Sequence, residues 1–110
     1  MTGILYEPGA LRLRMDGHAG AGPKGGDLVC AAVSMLMLTL EARCGECEEE
    51  WMPPVCRAPG HFMIQCRPES GHEVRCRESF DTVFAGLSLL AEREPGHVCA
   101  EIGETEEEQA

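Results

Sequence analysis

Two side chains in the first third of the chain have the types and spacing for nucleophilic chemistry: His18 and Cys30, separated by a glycine-rich run. The thiolate is the attacking form of cysteine, and an imidazole within hydrogen-bond reach takes the thiol proton and balances the charge left on sulfur. Residues 17–26 hold five glycines, Gly17, Gly20, Gly22, Gly25 and Gly26, so a peptide can approach the main chain closely there. Ordering glycine costs the most backbone entropy, so the run is expected to be a substrate loop that stays mobile until a peptide closes it. Taken without the rest of the chain, the pair has a blander explanation. A free cysteine is often only a small core residue, and a lone histidine is more often a loop residue than a base.

Positioning the pair requires elements on both sides of the loop. Residues 4–6 form a short strand candidate, and Glu7-Pro8-Gly9 reads as a turn. Leu11, Leu13 and Met15 then alternate with Arg12, Arg14 and Asp16, the period of a strand with one buried face, and this strand leads straight into Gly17-His18. Asp27 is a favoured helix N-cap ahead of the apolar stretch 28–40, which places Cys30 as the third helical residue. Helix N-termini carry unpaired N–H groups and favour negative charge, so the same turn suits a thiolate and the oxyanion of a scissile carbonyl. This helix is apolar almost all round, and a central, buried position is expected for it, ending near Arg43.

Residues 44–60 carry mixed charge and the adjacent Pro53 and Pro54, and read as an irregular connection. Phe62, Ile64 and Cys66 predict a strand, 68–71 a turn, and 73–77 a partner strand with Val74 and Cys76 on one face. Phe80, Val83, Phe84, Leu87, Leu90 and Ala91 predict an amphipathic helix capped by Ser79 and stopped by Pro95-Gly96. Val98, Ala100 and Ile102 alternate in a last strand. The fold class expected is α+β in the order β-β-α-β-β-α-β, with two main helices on a mixed or largely antiparallel sheet. One domain over residues 1–103 and an acidic disordered tail over 104–110 complete the expectation.

The 110 residues carry a formal net charge of -10, with acidic patches at 46–50 and 104–108. That balance argues against a nucleic-acid partner, which needs clustered Lys and Arg, and suits either a basic partner or simple solubility. Residues 1–7 lack the basic start and long apolar run of a targeting segment, and 28–40 is too short to span a membrane, so a cytoplasmic protein with no membrane partner is expected. Seven cysteines in that setting read as thiols rather than a disulfide framework. Cys44 and Cys47 make half a zinc site, but no second properly spaced pair follows among Cys56, His61, Cys66 and Cys76, so no metal and no cofactor is expected. Cys66 and Cys76 are expected to face each other across a hairpin as core residues.

Gly17-His18-Ala19, Gly22, Gly25 and Asp27, followed by Val29-Cys30-Ala31-Ala32-Val33-Ser34, resemble the signature of the ribosomal-processing cysteine protease family, Prp. The resemblance covers roughly residues 3–102. It implies a bacterial endopeptidase, acting as a homodimer without metal. Such an enzyme removes the hydrophobic N-terminal extension of large-subunit ribosomal protein twenty-seven. It assigns His18 as the catalytic base and Cys30 as the nucleophile. Asp27 and Ser34 match the same block as supporting residues. Asp27 either orients His18 or only caps the helix, and Ser34, one turn beyond Cys30, bonds either a site group or the Cys30 carbonyl. The competing class is a non-catalytic ribosome-associated or metal-binding module of the same fold.

Overall fold

The computed structural model describes residues 1–17, 27–44, 55–58, 60–68 and 70–103. His18, Gly20, Gly22, Gly25 and Gly26, the acidic run 46–50 with Cys47, and the tail 104–110 lie outside the described residues. Among the described residues, five strands and two α-helices follow in order: β1 (Thr2–Glu7), β2 (Arg12–Asp16), α1 (Leu28–Cys44), β3 (Val55–Ala58), β4 (His61–Gln65), α2 (Glu73–Arg93) and β5 (Val98–Ile102). The strands form one mixed sheet in the order β3-β4-β2-β1-β5. Among the described strands, β1–β5 is parallel, while β1–β2, β2–β4 and β3–β4 are antiparallel.

The two-residue period of the strands sorts the sheet into two faces. Ile4 and Tyr6 of β1, Leu13 and Met15 of β2, Phe62 and Ile64 of β4 and Val98 of β5 are all buried, and the register pairs Ile4 with Met15, Tyr6 with Leu13, and Met15 with Phe62. Both helices cover this face. α1 contributes Val29, Val33, Met37 and Leu40, and α2 contributes Cys76, Phe80, Val83 and Leu87, each set repeating at helical spacing. Tyr6 joins the layers: its ring stacks near Phe80 and Phe84, and its hydroxyl donates to Asp81 at 2.6 Å. Burial, then that bond to a carboxylate, pushes the phenol well above its ordinary range.

The expected fold class and element order hold, and the strand read from Phe62, Ile64 and Cys66 is β4, but its hairpin partner lies before it rather than after it. Residues 55–58, read as irregular, are β3 and pair with β4. Residues 73–77, read as a strand, are the first turns of α2. Val74 is 71% exposed while Cys76 is fully buried, so the two share no face and the apparent alternation belongs to a helix. Cys76 extends the stripe of Phe80, Val83 and Leu87 backwards by one turn, which packing rewards more than a lone strand pair would. Ser79 accordingly sits inside the helix and donates to the Arg75 carbonyl instead of capping. Cys66 and Cys76 do meet in the core, with sulfurs 2.7 Å apart, but between the end of β4 and α2 rather than across a hairpin. A second correction concerns α1. It is not buried all round: Leu28 is 82% and Met35 61% exposed, because a two-layer fold covers only one face of each helix.

Candidate active site

Cys30 is presented by the first turn of α1, and the reason it sits there is local. The Asp27 Oδ1 accepts the Cys30 N–H at 2.9 Å, and the Asp27 carbonyl accepts the Ala31 N–H at 3.1 Å. Asp27 is thus the N-cap, with Cys30 at the third helical position, where a capping oxygen finds its donor. The N–H groups of Cys30 and Ala31 are therefore both engaged by Asp27.

Cys30 is a free thiol of intermediate exposure, half in the core and half open. Its open side lines a pocket of about 330 Å³ with Met15, Ser34, Ala58, Gly60, His61 and Phe62. Cys30 and Ser34, one turn apart on α1, therefore face the same space. The opposite wall comes from the ends of β2, β3 and β4. An apolar wall with a thiol and two other polar groups suits a peptide substrate more than a charged ligand.

The approach to His18 is pinned at Gly17. That residue has φ +88°, donates its N–H to the Gly60 carbonyl at 2.7 Å, and accepts the Thr2 hydroxyl at 3.3 Å. A Cβ there would lie 2.5 Å from the Met1 carbonyl oxygen. Gly17, expected as a member of the substrate loop, is held by the sheet and is glycine for two backbone reasons. Gly17, the residue after β2, is thus held against Gly60 of the pocket wall.

His61 was not singled out from the sequence as a site residue. Its imidazole Nδ1 lies 2.5 Å from the Asp16 Oδ1, and the two residues are direct cross-strand partners at the ends of β2 and β4. No short motif links residues 16 and 61; only the pairing register could have shown it.

Cys30, on the first turn of α1 and open to a pocket beside the strand ends, is a candidate nucleophile by its placement. Residues 7–99 match the family described as cysteine protease Prp, and the chain belongs to that family of cysteine proteases. The fold is similar to SMU.848 from Streptococcus mutans, at 25% identity and TM-score 0.67 over 94% of this chain and 93% of that one. It is also similar to the essential ribosomal processing protease Prp from S. aureus. The structure of that protease with a covalently linked product peptide gives 20% identity and TM-score 0.74, covering 93% of this chain and 97% of the other. Its complex with a substrate peptide gives 22% and 0.68, covering 94% and 100%. Comparison with curated proteins gives no match.

Proposed function

We propose that this protease is a ribosomal-processing endopeptidase that removes the N-terminal extension of large-subunit ribosomal protein twenty-seven. Cys30 is the nucleophile and His18 the general base. The observation that carries the reading is the placement of Cys30: capped at the third position of α1, unpaired as a thiol, and open to a peptide-sized pocket. The assignment of His18 rests on the family signature around Gly17-His18-Ala19, supported by the pinning of Gly17 beside the pocket. The S. aureus protease is described with a substrate peptide and with a covalently linked product peptide, which supports the same class of substrate here.

In this mechanism the Cys30 thiol gives its proton to His18, and the sulfur attacks the scissile carbonyl carbon. Collapse of the tetrahedral intermediate breaks the C–N bond, with the His18 proton passing to the leaving amine. Water, deprotonated by His18, then cleaves the thioester and frees Cys30. Asp27 acts through the helix it caps, and Ser34 faces the bound peptide. The remaining glycines, Gly20, Gly22, Gly25 and Gly26, would close over that peptide. The enzyme would work in the cytoplasm as a homodimer, a state supported by the exposed apolar Leu28, Met35 and Leu38 on α1. Among the described residues no helix is long and apolar enough to cross a membrane.

The test is incubation with a peptide copying the N-terminal extension of the host's ribosomal protein, read by mass spectrometry. A single cut that vanishes in Cys30→Ala supports the assignment. An intact peptide refutes the substrate.

A further inference from the structure

The wall opposite Cys30 carries a polar group that the mechanism does not use. His61 lines the same pocket as Cys30, among the apolar Met15, Ala58 and Phe62. Its Nδ1 is engaged by Asp16. With the Asp16 carboxylate as the acceptor of this bond, Nδ1 is the donor. In the neutral ring Nε2 is then an acceptor with a fixed tautomer, oriented by its carboxylate as in other Asp–His pairs.

The pair is also built into the backbone. Asp16 and His61 face each other at the end of the β2–β4 ladder, and the Gly17 N–H to Gly60 carbonyl bond locks that end one residue further on. Stability gives little reason for it: the Asp16 side chain is 60% exposed and that of His61 34%, and a side-chain hydrogen bond so open to water contributes little. A bound peptide, by contrast, brings main-chain N–H groups into an apolar pocket where each needs an acceptor.

We propose that His61, held by Asp16, is a substrate-contacting residue whose Nε2 accepts a main-chain N–H of the peptide lying across Cys30. This rests on the peptidase function proposed above and adds a residue to its substrate site. His61 differs from His18 in role: it holds the peptide, while the proton transfers of catalysis stay with His18.

The experiment measures binding apart from chemistry. In a Cys30→Ala background, affinity for the ribosomal extension peptide is compared for His61, His61→Ala and His61→Gln, with thermal midpoints recorded for each. His61→Ala is expected to weaken binding about tenfold, the scale of one net hydrogen bond. His61→Gln keeps an acceptor oxygen in reach of the same position and should recover to within about threefold of the parent. In the active enzyme the loss from His61→Ala should fall on KM more than on kcat. Unchanged affinity in His61→Ala overturns the inference. So does an equal loss in both variants, which would assign His61 to packing. Should His61→Ala unfold, His61→Phe takes its place, filling the space of the ring without an acceptor: lost affinity that His61→Gln recovers supports the contact, and unchanged affinity overturns it. If the parent enzyme fails to cut the peptide, the substrate assignment falls and this inference with it, whereas cleavage with unchanged affinities removes only the role of His61.

Discussion

Replacing Gly17 with alanine should cost this protein stability and activity together, and the size follows from the backbone. The residue sits at φ +88°, a conformation that costs an L-residue with a Cβ about 1–2 kcal/mol. The new Cβ would meet the Met1 carbonyl oxygen at 2.5 Å and the Met1 carbonyl carbon at 3.5 Å. That carbonyl cannot simply turn away. It shares a planar peptide with the Thr2 N–H, which donates to the His97 carbonyl at 2.9 Å where β1 meets β5. Relieving the clash therefore means shifting the start of β1 or the end of β2, and overpacking of this kind costs about 1–3 kcal/mol. Together the two effects amount to about 2–5 kcal/mol, a large share of the roughly 5–15 kcal/mol that a domain possesses. Urea unfolding should report the loss directly, with the thermal midpoint falling by roughly 10 °C or more. Cleavage by the folded fraction should also drop, because the displaced strand end carries residue 18. A loss below about 0.5 kcal/mol, the scale of an ordinary surface substitution, would refute both the strain and the pinning.

Further outcomes follow from the same geometry. Cys30→Ala and His18→Ala should each abolish peptide cleavage with thermal midpoints close to the parent; turnover by the cysteine variant would exclude Cys30 as the nucleophile. Asp27→Ala should cost about 1 kcal/mol in denaturant unfolding through the lost cap. Asp27→Asn, which keeps a capping oxygen, should restore that stability, and a kcat still low in the asparagine variant would show that Asp27 also acts on His18. Arg12 bonds both Glu7 oxygens, at 2.8 and 2.9 Å, and holds the Glu7 carboxyl below the usual carboxylate range. Glu7 therefore stabilises the fold fully above its unfolded-state pKa, and loses that contribution as pH falls through the lower folded-state value. Glu7→Gln should cost about 1–2 kcal/mol at neutral pH. The gap from the parent should close in acid, as followed by thermal melts across pH; a gap constant with pH would refute the linkage.

Where the physics is local, the linear chain was informative. Asp27 ahead of an apolar run is a cap signal, and the cap oxygen indeed meets the Cys30 N–H. The alternation of Leu13 and Met15 is a one-faced strand with both side chains buried, while Leu11, also buried, stands just before it at φ +48°. The stripe of Phe80, Val83 and Leu87 is a helix face, and Pro95-Gly96 follows its end. Each of these depends on periods and caps that span a few residues. Alternation over only five residues was too short to separate strand from helix at 73–77, where burial of Cys76 under the sheet decided the matter. Residues 55–58 have no strong pattern of their own and became a strand by pairing with β4. Exposure of Leu28 and Met35 likewise follows from a second layer that covers one helix face, which no hydropathy pattern contains. The site divides in the same way. The placement of Cys30 on a capped first turn was legible because the cap residue Asp27 lies three residues before it. The opposite wall was not, because His61 reaches the pocket and Asp16 only through the β2–β4 register, a long-range pairing that tertiary structure alone decides.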